Sequence, residues 1–453
     1  MIVNNLLDMD LILHESKITL SPGKNKCPDF IFLKHKNLID LLKKGKLSVE
    51  LEDSDRPEIK AMISNTKKDS KSVVKDSENS NSSIDWSIRG QFFDYSGYAK
   101  VNRSLINCLK GWTKVAIDPI DSNNKSLTEQ DLQYLNGIPI ANRAKNKIDS
   151  IVPSSAYASH GRFNNKILYT TLETNTVNKD VIGILDMYDE IWTTSTFCKQ
   201  AFDECGIKKK ILVVPGAIDI DEFIDIKPIN ITSQTKSFVF MSVFNWNYRK
   251  APEVLIKSYI RAFNKSDDVS LLIVCRSDKG CNKPHEISRK IDAIIKNEGK
   301  GNDTPHIARY SNPLSELDLK RLYKACSVYV QPSRGEGYGL PYIEASLLGL
   351  PVISTKWGGQ LDFLDEKNST LVKIDRLDKV LDGQTGVYFW DSEYMPYLLT
   401  DDFLDSLANA MIYNFNNYKK CLKMSKLLQN KIKNGHSLKA VSNIIRNNYY
   451  EHI

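Results

Sequence analysis

Short β-rich runs alternate with helical runs twice along this chain, and this double alternation leaves few folds open. The first series extends from SIRGQFF to KILVVPGAID, and the second begins at Ser237 with SFVFMSVFNW, PEVLIKSYIRAFNK and VSLLIVCR. Strands that alternate with helices of ~10–15 residues are typical of βαβ units and parallel sheets. The sequence therefore predicts an α/β protein with two Rossmann-like, doubly wound domains that face each other across a cleft.

A polar stretch near the N-terminus indicates where the domains begin. From Lys67 to Ser83 the chain reads KKDSKSVVKDSENSNSS, which offers too little apolar surface to offset the entropy of ordering. We predict a flexible linker there. The predicted division is a small N-terminal accessory segment 1–66, the linker 67–84, Rossmann-like domains 85–230 and 231–430, and a C-terminal helix 431–453.

Composition excludes several classes of protein. The chain has 62 Lys plus Arg and 55 Asp plus Glu, and its net charge of +7 is small for a nucleic-acid-binding protein of this length. No window approaches the ~18 uninterrupted apolar residues of a membrane span, and we expect no secretory signal. The 8 cysteines include no CxxC pair, which favours reduced thiols and a cytoplasmic location.

A basic pair follows the first strand of the second series. Arg249 and Lys250 come directly before Pro252, which is well tolerated at the first position of a helix. Two cations beside the positive end of a helix dipole form a strong site for phosphate oxygens. The pair is therefore predicted to bind an anion, with two solvated basic side chains as the alternative.

The second motif is the stretch 332–355, PSRGEGYGLPYIEASLLGLPVIST. A glycine-rich turn that enters a helix lets a ligand approach closely and offers it free N–H groups. Glu336 lies in this turn and Glu344 lies in the first turns of the helix. Two carboxylates beside a phosphate site suit the hydroxyls of a sugar and a ribose, whereas compensation of the helix dipole would explain Glu344 alone.

The run from Ser237 to Gly359 resembles the nucleotide-sugar domain of glycosyltransferase family 4, a group of retaining enzymes with the GT-B fold. The resemblance rests on Glu336 and Glu344, which have seven residues between them, and on the SVFNWNYRK and VISTKWGGQLDFL segments. The first half resembles the family more weakly, in SGYAKVNRSLINCLKGW, YTTLETNTV, DEIWTTSTFCKQAF and VVPGAIDIDEF.

The resemblance implies transfer of a hexosyl-type sugar from a UDP- or GDP-linked donor to a carbohydrate, lipid or protein acceptor. Arg249 and Lys250 would then hold the donor phosphates. Glu336 would contact the donor sugar, and Glu344 would contact the ribose. The backbone amides of the glycine-rich loop would approach the sugar and phosphates; these belong to Gly337, Tyr338, Gly339 and Leu340. The family also implies that the final helix packs back on the first domain.

The first domain is expected to supply two further parts of the site. Gly97 follows the strand SIRGQFF and would reach the phosphates or the acceptor, with an ordinary βα turn as the alternative. Family members often carry a His after a strand at the edge of the cleft, but here the strand KILYTTLE ends in Glu173. Either Glu173 takes that position or His160 reaches it from the preceding loop. We favour Glu173, because the carboxyl ends of parallel strands face the ligand.

No cofactor or metal is expected in addition to the donor. Arg249 and Lys250 already match the phosphate charge, and no DxD triplet follows a strand in a nucleotide-binding context. We expect no nucleic-acid partner and at most peripheral membrane contact through a basic C-terminal helix face, for which a solvated face is the alternative.

Three rival functions stay open at this point. The first is a GT-B nucleotide-sugar epimerase, which uses the same donor site but no acceptor. The second is a nucleotide-sugar-binding module without catalysis. The third is nucleic-acid binding by the Lys-rich residues 1–84, which predicts salt-sensitive retention on heparin.

Overall fold

The chain divides into a small unit, 1–82, and a large unit, 83–453. The computed structural model describes five short strands before residue 51 and then 84–121, 127–141, 143–152, 163–177, 179–276, 284–298, 300–310, 314–379 and 394–449. Apart from Ile84, the predicted linker 67–84 lies outside the described residues. The strands of the small unit are β1 (Ile2–Asn5), β2 (Leu11–Leu13), β3 (Ile18–Leu20), β4 (Gly23–Lys26) and β5 (Leu47–Glu50). They form the antiparallel sheet β4-β1-β5 and the pair β2-β3.

The first half of the large unit contains a six-stranded parallel sheet in the order β11-β10-β9-β8-β6-β7. Its strands are β6 (Trp86–Gly90), β7 (Val115–Pro119), β8 (Asn146–Ser150), β9 (Asn165–Thr170), β10 (Glu190–Thr193) and β11 (Lys210–Val213). The helices of this half are α1 (Gly97–Lys110), α2 (Glu129–Asn136), α3 (Lys179–Leu185) and α4 (Thr196–Glu204). The strand order reverses between β6 and β8, where open α/β sheets bind ligands.

The second half repeats this plan with a parallel sheet in the order β14-β13-β12-β15-β16-β17. Its strands are β12 (Phe238–Asn245), β13 (Val269–Arg276), β14 (His306–Tyr310), β15 (Val328–Gln331), β16 (Val352–Thr355) and β17 (Thr370–Val372). Its helices are α5 (Pro252–Ala262), α6 (Pro284–Glu298), α7 (Glu316–Ala325) and α8 (Leu340–Leu347). The two strands that flank the switch point, β12 and β15, are the ones followed by the two predicted motifs. The predicted pair of Rossmann-like domains is confirmed.

Burial on both faces explains the apolar strands of the second sheet. Phe240 and Val330 face one core cluster, whereas their neighbours Met241 and Tyr329 face the other. Successive side chains of a strand point to opposite faces, so a sheet with helices on both sides needs apolar residues at nearly every position.

The C-terminal helices connect the two halves. After the antiparallel pair β18 (Leu377–Lys379) and β19 (Tyr394–Pro396), the chain forms α9 (Asp401–Asn416), α10 (Tyr418–His436) and α11 (Leu438–Tyr449). α10 packs on α8 of the second half, and α11 packs on α1 of the first. The indole Nε1–H of Trp112 donates to Ser442 Oγ of α11 at 2.9 Å. None of the described helices is long and apolar enough to cross a membrane.

Candidate functional site

The basic turn after β12 has a defined backbone shape. Tyr248–Lys250 form a 3-10 turn, and the side chain of Asn247 accepts a hydrogen bond from the Lys250 N–H at 3.0 Å. Ala251 then takes the left-handed conformation (φ 50°) in a fully buried position, and Pro252 begins α5. An alanine in this conformation is unfavourable by about 1–2 kcal/mol, a cost that the surrounding contacts must offset.

Arg334, for which the sequence predicted no role, holds this turn in place. It is fully buried, and its guanidinium donates to the Tyr248 carbonyl and to Glu253 Oε1, both at 2.5 Å. The same group lies 3.9 Å from the centroid of the Tyr248 ring. The backbone N–H of Arg334 also donates to the Arg249 carbonyl at 2.7 Å. These contacts fix the basic turn to the glycine-rich loop.

Both predicted cations form ion pairs with Glu336. Arg249 Nη1 lies 3.2 Å from Glu336 Oε2, and Lys250 Nζ contacts Glu336 Oε1. Arg249 Nη2 also lies 3.2 Å from Oε1 of Glu173, which follows β9 in the first half. Only 7% of the Glu336 side chain and 12% of each cation are exposed. The structure thus brings four of the predicted site residues, from both halves, into one ion cluster.

The charges in this cluster shift one another's pKa values. Burial alone would raise the pKa of Glu336, but Lys250 and Arg249 outweigh it and hold that pKa below its usual value. Burial would likewise lower the pKa of Arg249, yet Glu173 and Glu336 raise it. The pKa of Lys250 is lowered. Burial and the positive charge of Arg249 lower it, and together they outweigh the raising effect of Glu336.

Glu344 lies on α8 and is bound by a residue of the first half. Lys100 Nζ, from α1, lies 2.7 Å from Glu344 Oε1 and 3.1 Å from Glu316 Oε1. Burial would lower the pKa of Lys100, but the two carboxylates raise it. Glu336 and Glu344 flank the start of α8, with seven residues between them. Lys100 was missed by the sequence analysis, and its only signal is a cation three residues after Gly97.

Gly97 meets the glycine-rich loop across the cleft. It is the first residue of α1, whose N-cap Ser96 accepts a hydrogen bond from the Ala99 N–H. A Cβ placed on Gly97 would lie 3.6 Å from Leu340 Cδ1. Gly339, the residue of the glycine-rich loop directly before Leu340, has φ +93° at the start of α8, a conformation that favours glycine. The Gly97 and Leu340 positions therefore face each other.

Gly337 packs directly against the first half. Its carbonyl accepts hydrogen bonds from Ser195 Oγ at 2.7 Å and Thr194 Oγ1 at 3.1 Å. A Cβ at this position would lie 1.8 Å from Thr171 Oγ1, which is far inside van der Waals contact. Glycine is required here because the loop lies against the ends of β9 and β10.

The Tyr338 side chain points away from the ion cluster. Its hydroxyl donates to the Gly216 carbonyl at 2.6 Å and lies 2.7 Å from His436 Nδ1, at the end of α10. Burial lowers the pKa of His436 to about 4. The sequence-based prediction for Tyr338 concerned only its backbone amide. The side chain connects the glycine-rich loop to Gly216, which follows the last strand of the first half.

His160 lies outside the described residues, so of the two alternatives for the first half only Glu173 is placed. Among the described residues, no three His, Cys, Asp or Glu side chains gather in a way that could hold a metal ion.

Part of the chain is similar to known sequences. Residues 235–382 match the family model "Glycosyl transferases group 1". A D-inositol 3-phosphate glycosyltransferase of Corynebacterium glutamicum (strain R) is 30% identical over 111 residues, which is 24% of this chain and 25% of that protein. A probable sucrose-phosphate synthase of Thermosipho melanesiensis is 28% identical over 166 residues, 35% of each chain. The chain thus aligns with a quarter to about a third of the length of these curated relatives.

Comparison with solved structures covers much more of the chain. HepE of Anabaena, crystallised with UDP and glucose, matches with a TM-score of 0.56 and 12% identity over 80% of this chain and 98% of its own. Sucrose-phosphate synthase of Thermosynechococcus elongatus matches with a TM-score of 0.55 and 13% identity over 82% of this chain and 99% of its own. At such identities the likeness concerns the fold alone. The two Rossmann-like domains therefore have the GT-B architecture, and residues 235–382 carry the sequence pattern of group 1 glycosyltransferases.

Proposed function

We propose that this protein is a retaining glycosyltransferase of family 4, which moves a hexosyl-type sugar from a nucleotide diphosphate sugar to an acceptor hydroxyl. One observation carries the proposal: Arg249 and Lys250 converge on Glu336 at the switch point of the second sheet, with Glu173 of the first half in the same cluster. The family match of residues 235–382 and the GT-B fold support it.

The donor diphosphate binds at the basic turn. Arg249 and Lys250 precede α5, so the positive end of that helix dipole adds to their charge. In the structure, the two cations pair with Glu336 and Glu173. A diphosphate replaces part of this pairing, and its charge needs no metal ion for compensation. UDP is the first nucleotide to test, because HepE was crystallised with UDP and glucose.

The two carboxylates of the glycine-rich segment contact the rest of the donor. Glu336 accepts hydrogen bonds from donor-sugar hydroxyls, and Glu344 accepts them from the ribose. Because Lys100 pairs with Glu344, ribose binding requires the Lys100–Glu344 ion pair to loosen. Gly97 and Leu340 border the space between the halves from opposite sides.

Catalysis is mainly electrostatic in this proposal. Arg249 and Lys250 stabilise the leaving diphosphate while the anomeric carbon gains positive character. The acceptor hydroxyl attacks the same face of the sugar, and a leaving phosphate oxygen takes its proton, so no strong protein base is needed. Glu173 acts on the donor in this proposal, which is supported by the Arg249 side chain that its carboxylate shares with Glu336. His160 stays the alternative group of the first half.

The acceptor is a carbohydrate, a lipid or a protein, without nucleic-acid involvement. We place the protein in the cytoplasm, with at most peripheral membrane contact. The six cysteines of the described residues are free thiols, and most of them are buried.

Labelled UDP- and GDP-sugars, incubated with the full chain and a panel of acceptors, test the proposal. We expect product formation or slow donor hydrolysis in the wild type, and at least a hundredfold loss in Glu336→Ala and Lys250→Ala. Lys257→Ala is the matched control, because this α5 lysine pairs with Glu298 outside the cluster. Wild-type rates in both site variants would refute the mechanism. An altered sugar on the same nucleotide would identify an epimerase, and nucleotide binding without turnover would identify a binding module.

A further inference from the structure

A cavity of about 390 Å³ lies between the two halves of the large unit. Asn175, Phe197 and Gln200 line it from the first half, and Trp357 and Leu361 line it from the second. We call this cavity the Trp357 pocket. None of the residues proposed to bind the donor lines this pocket, so the pocket is available to a different ligand.

The pocket has an aromatic wall built from both halves. The rings of Phe197, on α4, and Trp357, after β16, meet edge to face with their centroids 4.8 Å apart and their planes at 71°. Both side chains are partly exposed. Aromatic faces beside a few hydrogen-bonding groups are typical of ligand pockets, and they suit the C–H faces of a sugar ring in particular.

The charged side chains of the pocket wall already have partners. Asp362 accepts hydrogen bonds from the N–H and the hydroxyl of Thr196, the former at 2.8 Å. Glu204 accepts from Gln200 Nε2 at 2.7 Å. Lys356 pairs with Glu366 at 2.6 Å. Because the single cation of the wall is paired and two carboxylates accompany it, the pocket favours a neutral, hydroxyl-bearing ligand over a phosphorylated one.

The pocket shares a wall with the backbone of Glu336. Gly358 lines the pocket, and a Cβ on it would lie 3.0 Å from the Glu336 carbonyl oxygen. The N–H of Gly359 donates to that same oxygen at 2.6 Å. On the other side, Asn175 follows Glu173 by two residues. A molecule in the pocket therefore lies next to the segments that carry both site carboxylates.

We propose that the Trp357 pocket binds the acceptor and that the acceptor ends in a neutral carbohydrate of one or two sugar rings. This inference rests on the proposed function. The volume lies near the lower end of the roughly 300–1,000 Å³ of ligand pockets, which limits the bound part to this size. In the transfer step, a sugar hydroxyl oxygen bonds to the anomeric carbon of the donor, the bond from that carbon to phosphate breaks, and the hydroxyl proton passes to the departing diphosphate.

Saturation-transfer NMR on the full chain, with and without UDP, tests the proposal. The probes are glucose, galactose, mannose and maltose, with glucose 6-phosphate as the anionic counterpart. We expect at least one neutral probe to bind, and at least tenfold weaker binding in Trp357→Ala, which removes the aromatic wall. Gln200→Trp, which fills the pocket from the exposed face of α4, should have the same effect. Trp357→Phe should retain binding, and Tyr394→Ala, an exposed aromatic outside the pocket, is the control.

Several results would overturn the acceptor pocket. These are the absence of binding by every neutral probe, preference for glucose 6-phosphate, and unchanged binding in both Trp357→Ala and Gln200→Trp. UDP affinity is measured in the same samples and should not change in these variants. A protein that binds UDP and hydrolyses UDP-glucose but fails the sugar test contradicts the pocket alone, whereas failure to bind any nucleotide contradicts the proposed function.

Discussion

Replacing Glu336 by Gln separates two tasks of the ion cluster: to stabilise the fold and, in the proposed function, to bind a diphosphate. The substitution keeps the shape of the side chain and one acceptor oxygen but removes the charge that faces Arg249 and Lys250. We expect the variant to be less stable without ligand, to bind UDP more tightly, and to lose transfer activity.

The magnitude follows from the burial of the cluster. Breaking a buried ion pair is unfavourable by about 3–5 kcal/mol, and the lower value applies here because the amide oxygen still accepts a hydrogen bond. A unit of this size has an unfolding entropy of about 0.8 kcal/mol/K, so a loss of ~3 kcal/mol lowers the Tm by about 4 °C. In the proposed function, a diphosphate competes with Glu336 for both cations of the wild type. Without that competition, the UDP affinity should rise about tenfold, or ~1.4 kcal/mol.

Thermal unfolding and calorimetric titration with UDP measure both effects on the same samples. Bound UDP stabilises the folded state by mass action, so the increase in Tm on adding UDP should be larger in the variant than in the wild type. The matched control is Asp149→Asn, since Asp149 is a fully buried carboxylate in the first sheet that accepts a hydrogen bond from Tyr188. This control should lose stability without any change in UDP affinity.

Two results would refute this reasoning. If Glu336→Gln leaves the Tm within one degree of the wild type, the ion cluster does not contribute to stability as its burial implies. If UDP binds more weakly to the variant, Glu336 does not compete with the diphosphate.

Three more perturbations test other contacts of the site. Lys100→Met frees Glu344 for the ribose and should tighten UDP binding at least threefold by calorimetry; weaker binding would mean that Lys100 itself contacts the donor. The pKa of His436 is about 4 in the fold and about 6.5 when unfolded, so the unfolded chain binds the extra proton between these values. Stability should fall by about 3 kcal/mol as the pH drops from 6.5 to 4, and His436→Gln should remove this part of the loss in urea unfolding. Gly337→Ala places a Cβ inside the first half and should reduce transfer at least a hundredfold, whereas Gly111→Ala, with open space around it, should not.

Much of the fold was predictable because it depends on local pattern. The alternation of strands and helices indicates parallel sheets, and parallel sheets place their ligand sites at the carboxyl ends of strands. The convergence of Arg249 and Lys250 on Glu336 follows from this rule together with the strand order of the structure, since both motifs begin where the neighbouring strands β12 and β15 end. The same rule, applied to the first sheet, predicts Glu173 as a site residue. It does not predict the contact between Glu173 and Arg249.

The sequence by itself therefore determined the two series of strands and helices and the residues that follow each strand. The tertiary structure decided which residues of one half reach the other: Lys100 on Glu344, Gly337 against Thr171, Tyr338 on Gly216, and the wall shared by Phe197 and Trp357. The physical reason is that these pairs lie 122 or more positions apart, as between Tyr338 and Gly216. Their contacts depend on how two separately folded sheets are oriented, which no periodicity within either sheet encodes.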